Sequence, residues 1–275
     1  MEIRRVARAK INLCLHVTGQ RQDGYHLLDS VVAFADYGDV LTFAPADHVS
    51  LSISGPFADG LRGADDNLIL KAARCFDRRS GQGASIHLEK NLPVASGIGG
   101  GSADAAAALS GLAELWNLPL PALDKQLSLG ADVPICVTGQ PLHMRGIGDQ
   151  IEPLELDQEH AMVLVNPNVS VSTPVVFKGL AGKNNSAISG RPDTGWINWL
   201  RKQRNDLEAP AIAHTPLIAD VLDALTRSKP ELSRMSGSGA TCFGLYQNPE
   251  AAQDAAAKLT SQHPDWWVQT TRLTT

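Results

Sequence analysis

The stretch Pro93-Val94-Ala95-Ser96-Gly97-Ile98-Gly99-Gly100-Gly101-Ser102-Ala103 decides how this chain is read. Upstream, Ser85 to Leu88 alternates like a strand, and downstream, from about Ser102 to Trp116, the chain is rich in alanine. There Ala106, Leu109, Leu112, Ala113 and Trp116 recur at helical spacing. The whole connection, Asn91 to Gly101, holds four glycines and one proline. Glycine lets backbone take positive φ and approach a ligand closely. A helix N-terminus behind such a loop presents unpaired N–H groups and a partial positive charge. Strand, glycine loop and helix together make an anion site, and phosphate is its usual occupant. Ser102 is placed to cap the helix or to face that phosphate. The plainer alternative is a flexible loop before a helix.

Three familiar motifs fail on inspection. A Walker A loop needs Gly-Lys-Ser/Thr at its end, but Gly101 is followed by Ser102 and Ala103. The dinucleotide fingerprint starting at Gly97 needs Gly or Ala where Ser102 stands. A nucleophile elbow on Ser102 needs Gly where Asp104 stands. A second glycine run, Ser236-Gly237-Ser238-Gly239-Ala240, is either another backbone cradle for phosphate or a turn leading into a strand. Two such runs in one chain favour a nucleotide or polyphosphate ligand.

Outward from the loop, strand and helix mix without a regular βαβ rhythm, which predicts an α+β fold. Strands are expected around Ile11, Leu13 and Leu15, at Val40–Ala44 and Val49–Ile53 around the Pro45–His48 turn, and at Ala161–Val165, Cys242–Tyr246 and Trp267–Thr271. Helices are expected at Asn67–Arg79, with Leu68, Ala72, Cys75 and Phe76 on one face, and at Pro174–Leu180, Pro216–Arg227 and Glu250–Ser261. Gly179 to Gly195 reads as a surface loop. A boundary near Glu152-Pro153 gives an N-terminal domain, 1–153, and a C-terminal domain, 154–275.

The bulk properties set limits. At about 150 residues per domain, 275 residues make one large domain or two modest ones. Hydrophobic residues at 43% and charged residues at 19% are globular proportions and argue against disorder. Lys plus Arg is 24 against 29 Asp plus Glu, a formal charge of −5, which offers no footprint for nucleic acid or an anionic membrane. Cys14, Cys75, Cys136 and Cys242 lie far apart, with no CxxC, so neither a disulfide framework nor a structural zinc site is expected. No apolar run reaches a membrane span, and the N-terminus lacks the apolar core of a signal peptide. A reducing cytoplasm is the expected compartment. His48, His87, His160, His214 and His263 are scattered and read as surface or packing residues.

Single residues carry two readings each. Lys10, in a strand-like stretch, is either an edge residue with a solvated tip or a fixed cation near transferring phosphate. Asp132, in Gly130-Ala131-Asp132-Val133-Pro134, is either a helix cap or turn former, or a carboxylate that orients or deprotonates a hydroxyl. Asp23-Gly24-Tyr25-His26 is either a hairpin turn or a stacking tyrosine beside a hydrogen-bonding histidine.

Taken together, these segments resemble the superfamily that phosphorylates galactose, homoserine, mevalonate and phosphomevalonate. Its pattern is a Lys-containing N-terminal strand, a Pro-x-x-x-Gly-hydrophobic-Gly-Gly-Gly-Ser loop and a late glycine-rich loop, and all three stand here in order. Ala9-Lys10-Ile11-Asn12-Leu13, Thr18-Gly19-Gln20-Arg21, Asp23-Gly24-Tyr25-His26, Asp36-Tyr37-Gly38-Asp39, Asp66-Asn67-Leu68, Gly130-Ala131-Asp132-Val133-Pro134 and Thr173-Pro174-Val175-Val176-Phe177 resemble one branch of it over nearly the whole chain. In that branch the acceptor is a methylerythritol carrying a cytidine diphosphate.

The resemblance implies a two-domain α+β small-molecule kinase fold and transfer of phosphate from ATP to the acceptor's 2-hydroxyl, a step of the non-mevalonate isoprenoid route. It implies Lys10 and Asp132 as catalytic pair, with Asp132 the base and Lys10 its electrostatic partner. Pro93, Val94, Ala95, Ser96, Gly97, Ile98, Gly99, Gly100, Gly101, Ser102 and Ala103 would wrap the ATP phosphates. Ser238 and Gly239 would close over them, with Asn67 and Leu68 near the adenine. Tyr25 and Phe177 would sandwich the cytosine, His26 would bond its polar edge, and Asn12 and Thr173 would line the acceptor. Magnesium is expected with ATP, without an assigned protein ligand. A monomer or weak homodimer is expected, with no nucleic-acid or membrane partner.

The loop departs from the commoner family pattern at Ala95, Ser96 and Ala103, and Ser96 should either hold a negative φ or sit where a Cβ is tolerated. Two other functions follow from the same residues: a superfamily kinase with a small acceptor, which CMP would not inhibit, and a silent nucleotide-binding protein, which would release no ADP.

Overall fold

The computed structural model describes residues 2–61, 66–79, 81–190, 192 and 194–274. In chain order the elements are β1 (Ile3–Gln20), β2 (His26–Ala46), β3 (Val49–Ser54), α1 (Leu68–Arg74), β4 (Gly83–Glu89), α2 (Gly100–Trp116), α3 (Leu123–Leu129), α4 (Val133–Thr138), β5 (Leu142–Gly146), β6 (Gln150–Pro153) and β7 (Ala161–Asn166). Then follow α5 (Thr173–Lys178), α6 (Trp196–Leu200), α7 (Glu208–His214), α8 (Leu217–Arg227), β8 (Leu232–Met235), β9 (Cys242–Tyr246), α9 (Pro249–Gln262) and β10 (Trp267–Arg272). The mixture is α+β, as the sequence predicts.

The chain forms two compact units, each discontinuous. The first is Met1–Ala9, Tyr37–Val94 and Gly99–Gly139; the second is Lys10–Asp36, Ala95–Ile98 and Gln140–Thr275. β1 and β2 are long strands that each contribute residues to both units, which no composition shift marks in the sequence.

In the first unit, β2 pairs antiparallel with β4, Val40 opposite Glu89 and Ala46 opposite Gly83. β3 pairs parallel with β4, Val49 opposite Ala84. The two strands flanking the Pro45–His48 turn are therefore not a hairpin, because β4 lies between them. Leu41, Phe43, Ile86 and Leu88 are buried with α1 and α2. α2 is buried nearly all round, from Ala103 through Ala113, with Ser110 the partly exposed exception. Alanine suits it twice over, as the best helix former and as a side chain small enough for close neighbours on every side. α1 is shorter than Asn67–Arg79, because its last turn closes at Cys75, whose N–H bonds Ala72 O, before a polar, glycine-containing stretch. Asn67 starts it, its side chain accepting the Ile69 N–H.

In the second unit, β2 pairs with β5, Leu28 opposite Gly146, and β5 with β6. A second antiparallel sheet runs β10-β7-β9-β8. Every residue of β7 and β9 is buried, so these read as continuous apolar runs rather than as alternation. α8 buries Ile218, Val221, Ala224 and Leu225, one stripe of its surface. α9 is capped by Asn248, which accepts the Ala251 N–H. The expected loop 179–195 is irregular but tied down: Asn185 N–H bonds Val17 O and Ile188 N–H bonds Asp29 Oδ2. Arg191 and Asp193 of that stretch lie outside the described residues. No helix among the described residues is long and apolar enough to cross a membrane.

Candidate active site

The glycine loop contributes to both units, and each part is fixed within its own. Residues Ala95–Ile98 are held by the second unit's backbone. Val171 N–H bonds Ala95 O at 3.2 Å, Thr241 N–H bonds Ser96 O at 3.1 Å, and Lys10 N–H bonds Ile98 O at 2.9 Å. The Ser236 hydroxyl donates to Gly97 O and accepts from Asn12 N–H, both at 3.1 Å. The second glycine run is thus more than a turn leading into a strand, because it is wedged against the first. A Cβ on Gly97 would lie 2.5 Å from Ser236 O, and one on Gly237 would lie 2.6 Å from Gly97 O. Both positions also carry positive φ, 77° and 55°, so glycine is required there for space and for conformation. Asn205, buried, donates to Met235 O and Gly237 O at 2.8 Å and holds the second run from behind.

Ser96 is not among the positive-φ residues, as expected, and the left-handed turn falls on Ala95 instead, at φ 51°. The helix begins two residues earlier than its sequence suggests. Gly99, left-handed at φ 65°, takes the N-cap position, and Ser102 is the third residue of α2 rather than its cap. The left-handed backbone that opens α2 is therefore supplied by glycine, and the Ser102 hydroxyl does not cap the helix. Gly101 sits beside Leu68, whose Cδ1 would be 3.6 Å from a Cβ there. A Cβ on Gly130 would lie 3.6 Å from Ser102 Oγ, so the loop carrying Asp132 runs past the first turn of α2.

Asp132 occupies the N-cap position of α4, yet its side chain makes no capping bond. Asp132 therefore stands in the turn that opens α4 without capping it through its carboxylate. Lys10 is buried in β1, which sets aside the solvated-edge reading. Lys10 belongs to the second unit and Asp132 to the first.

The remaining sequence-derived residues gather in the second unit. Gly24, at φ 92°, makes the turn before β2, where Arg21 N–H bonds Tyr25 O. Tyr25 is 64% exposed, which is unusual for a large ring. His26 is stacked on Phe177 of α5, centroids 4.6 Å apart and 25° from parallel. Burial, and then the Lys183 cation, hold the His26 pKa below its usual 6.5, so it is neutral at neutral pH. Its Nε2 is buried and finds no hydrogen-bond partner among the described residues, and the same is true of Asn12 Oδ1. Asn12 Nδ2 donates to Ser30 Oγ, which fixes the amide's orientation. Thr173 and Ser238, from the acceptor and phosphate groups of expected residues, meet hydroxyl to hydroxyl at 2.8 Å.

Sequence reading missed Ser236 and Asn205 as the residues that lock the two glycine runs together. Ser236 opens a visible glycine run, but Asn205, in Gln203-Arg204-Asn205-Asp206, carries no local signal.

Comparison with known proteins gives one answer throughout. Residues 67–151 match the GHMP kinases N terminal domain and residues 195–265 the GHMP kinases C terminal domain. The chain is 55% identical to a 4-diphosphocytidyl-2-C-methyl-D-erythritol kinase of Cereibacter sphaeroides (strain ATCC 17025 / ATH 2.4.3), over 97% of this chain and 98% of that protein. It is 52% identical to the kinase of that name from Ruegeria pomeroyi, with the same coverage. A crystal structure of 4-(cytidine 5'-diphospho)-2C-methyl-D-erythritol kinase superposes with a TM-score of 0.82 at 30% identity, covering 99% of this chain and 100% of that one. Two interlocked glycine runs, a stacked ring pair, and relatives that align end to end give one conclusion: the chain belongs to the GHMP kinases and, within them, to the 4-diphosphocytidyl-2-C-methyl-D-erythritol kinase family.

Proposed function

We propose that this chain transfers the γ-phosphoryl group of ATP to the 2-hydroxyl of 4-diphosphocytidyl-2-C-methyl-D-erythritol. The acceptor oxygen forms a bond to the γ-phosphorus, the bond to the β,γ-bridging oxygen breaks, and ADP leaves. Phosphoryl transfer needs positioning and charge stabilisation rather than covalent catalysis. Asp132 takes the hydroxyl proton, and Lys10 is its electrostatic partner. Pro93 to Ala103 cradle the phosphates through loop and helix N–H groups, and Ser238 and Gly239 close over them. Asn67 and Leu68 flank the adenine. Residues 1–153 hold most of the nucleotide, and residues 154–275 complete the acceptor and phosphate sites.

Tyr25 and Phe177 take the cytosine between them, which requires His26 to leave its stack on Phe177 and turn its Nε2 to the base edge. Asn12 Oδ1 and the Thr173 hydroxyl face the acceptor. The observation that carries this reading is the unpartnered His26 Nε2 beside an exposed Tyr25. A homoserine or mevalonate has no base to use it.

Magnesium fits this chain as a cation carried by the nucleotide. The loop offers N–H donors, and among the described residues no group of three or more His, Cys, Asp or Glu side chains could hold a metal. Mg2+ usually keeps its waters and binds through substrate phosphates, where it neutralises the charge on the oxygens of the transferring group.

The test is ADP release with MgATP and the cytidyl acceptor, against no-acceptor and mevalonate controls, with CMP as competitor. Release only with the cytidyl acceptor, inhibited by CMP, is expected. Release with mevalonate, or none with the cytidyl acceptor, overturns the assignment.

A further inference from the structure

Beneath the first turn of α2 lies an ionic cluster that the phosphoryl-transfer reading does not use. Lys90, at the end of β4, is 3% exposed and donates to Asp39 Oδ2 and, at 2.8 Å, to Asp104 Oδ2. Asp39, on β2, is fully buried, and its other oxygen accepts the backbone N–H groups of Asn91 and Leu92, at 2.6 and 2.8 Å. Asp104 is the fifth residue of α2. The cluster therefore joins three elements of the first unit: the strand β2, the chain that feeds the glycine loop, and the helix that follows the loop.

Its placement is specific. A Cβ on Gly100, the first residue of α2, would lie 3.2 Å from Lys90 Nζ and 3.8 Å from Asp39 Oδ2. The residue that opens α2 thus lies beside the ion pair, and a Cβ there would require Lys90 Nζ to give way by a few tenths of an ångström. Two carboxylates against one ammonium would leave a net negative charge buried under an anion site. The cluster avoids this. Burial pushes the Asp104 carboxyl up to about 8, with Lys90 pulling it down and Asp39 pushing it up. Burial thus favours the neutral form of Asp104, which would leave one ion pair plus a neutral acid. Lys90 and Asp39 are the charged groups that act on Asp104, and α1 packs Leu68, Ile69, Ala72 and Ala73 against α2. Asp104 Oδ1 has no partner among the described residues, so the carboxyl is held by one oxygen only.

We propose that Lys90, Asp39 and Asp104 are positioning residues for the nucleotide phosphates, clamping the first turn of α2 onto the Lys90–Leu92 segment so that the N–H groups of loop and helix stand preset for ATP. This rests on the ATP-dependent reading above but not on the identity of the acceptor. The clamp touches no reacting atom; it acts through the backbone it holds, which costs no reorganisation when the nucleotide binds.

The experiment is equilibrium binding of MgATP by calorimetry, with steady-state kinetics, on the full chain and on Lys90→Met and Asp104→Asn. Lys90→Met should raise the MgATP Kd and KM at least about tenfold while the acceptor KM moves less than about twofold. In the wild type the MgATP Kd should rise with pH above about 8, as Asp104 ionises under the site; Asp104→Asn, which has no ionisable group there, should lose that rise. An unchanged Kd in Lys90→Met, or equal increases in both KM values, overturns the clamp. If Lys90→Met does not fold, the Asp104→Asn pH profile decides alone, and an alkaline rise like the wild type's overturns the proposal. A wild type that binds MgATP yet releases no ADP refutes the acceptor assignment instead, leaving the clamp to the Kd comparison.

Discussion

The imidazole of His26 and the phenyl ring of Phe177 lie 151 positions apart in sequence and stack at 4.6 Å. Phe177 also packs against the core of the second unit, whereas His26 keeps an unpartnered Nε2 and Tyr25 stands exposed one residue before it. Stacking a base on an aromatic ring contributes about 1–3 kcal/mol, or roughly 5- to 150-fold in affinity. Tyr25→Ala and Phe177→Ala should therefore raise the acceptor KM within that range and leave kcat within a few-fold of wild type. Initial rates over a range of acceptor concentration read this directly. Unchanged KM in both variants would remove the stacking model.

Asp132 ends a loop that passes the start of α2 without using its carboxylate to cap α4. As general base it should contribute about 10²- to 10⁴-fold. Asp132→Asn keeps the shape and removes the proton acceptor, so kcat should fall by that factor while the MgATP Kd stays near wild type. Retained kcat would end the role assigned to it.

The wedge of one glycine run against the other predicts opposite outcomes at two neighbouring positions. Gly97→Ala puts a Cβ 2.5 Å from Ser236 O on a backbone at φ 77°. The left-handed conformation alone costs roughly 1–2 kcal/mol for an L-residue, and the clash with backbone adds to it, because Ser236 is held by its own bonds. Ala95 already sits left-handed, at φ 51°, so Ala95→Gly relieves local strain there at the cost of a more flexible unfolded chain. Thermal unfolding should show Gly97→Ala clearly destabilised and Ala95→Gly near neutral. Equal losses in both would mean that the loop geometry is not what sets these positions.

The contrast between these residues also shows what was legible in the sequence. The loop's chemistry could be read because glycine, proline and the helix period that follows are local signals. The start of α2 could not, because Ser102 is a better cap by composition than Gly99, and only the left-handed backbone at Gly99 decides it. The strand around Ile11 to Leu15 was visible from its alternating apolar residues, but its full run, Ile3–Gln20, was not: it begins in a stretch with Arg4, Arg5 and Arg8 and ends past Gly19, none of which signals a strand. α3 and α4 went unread because seven and six residues are too few to show a period. His26 with Phe177, Ser236 with Gly97, and Lys90 with Asp39 are pairings between distant segments, which no window of sequence contains. Family resemblance supplied the roles of Lys10 and Asp132; the structure supplied the burial of the one and the absence of a cap at the other.

A buried histidine outside that resemblance gives the last prediction. His143 on β5 bonds Asp29 Oδ1 on β2, and Asp29 Oδ2 accepts Ile188 N–H at 2.8 Å, fastening the 179–195 stretch. Burial pushes the Asp29 carboxyl up, but the His143 bond, the Ile188 N–H and the charges of His143 and Arg145 outweigh it and hold the pKa below 3.8. A carboxylate whose folded pKa is depressed stabilises the native state above its unfolded value, and that stabilisation is lost as pH falls through the folded value. Hydrogen bonds to a charged group contribute about 1.5–3 kcal/mol. Asp29→Asn should therefore be less stable than wild type by about that amount at pH 7, and the gap should close as pH drops below about 4. Urea unfolding of both proteins across that range measures it. A gap that stays constant down to acid pH would show that Asp29 contributes shape rather than charge, and that the anchor on Ile188 works equally well with a neutral acceptor.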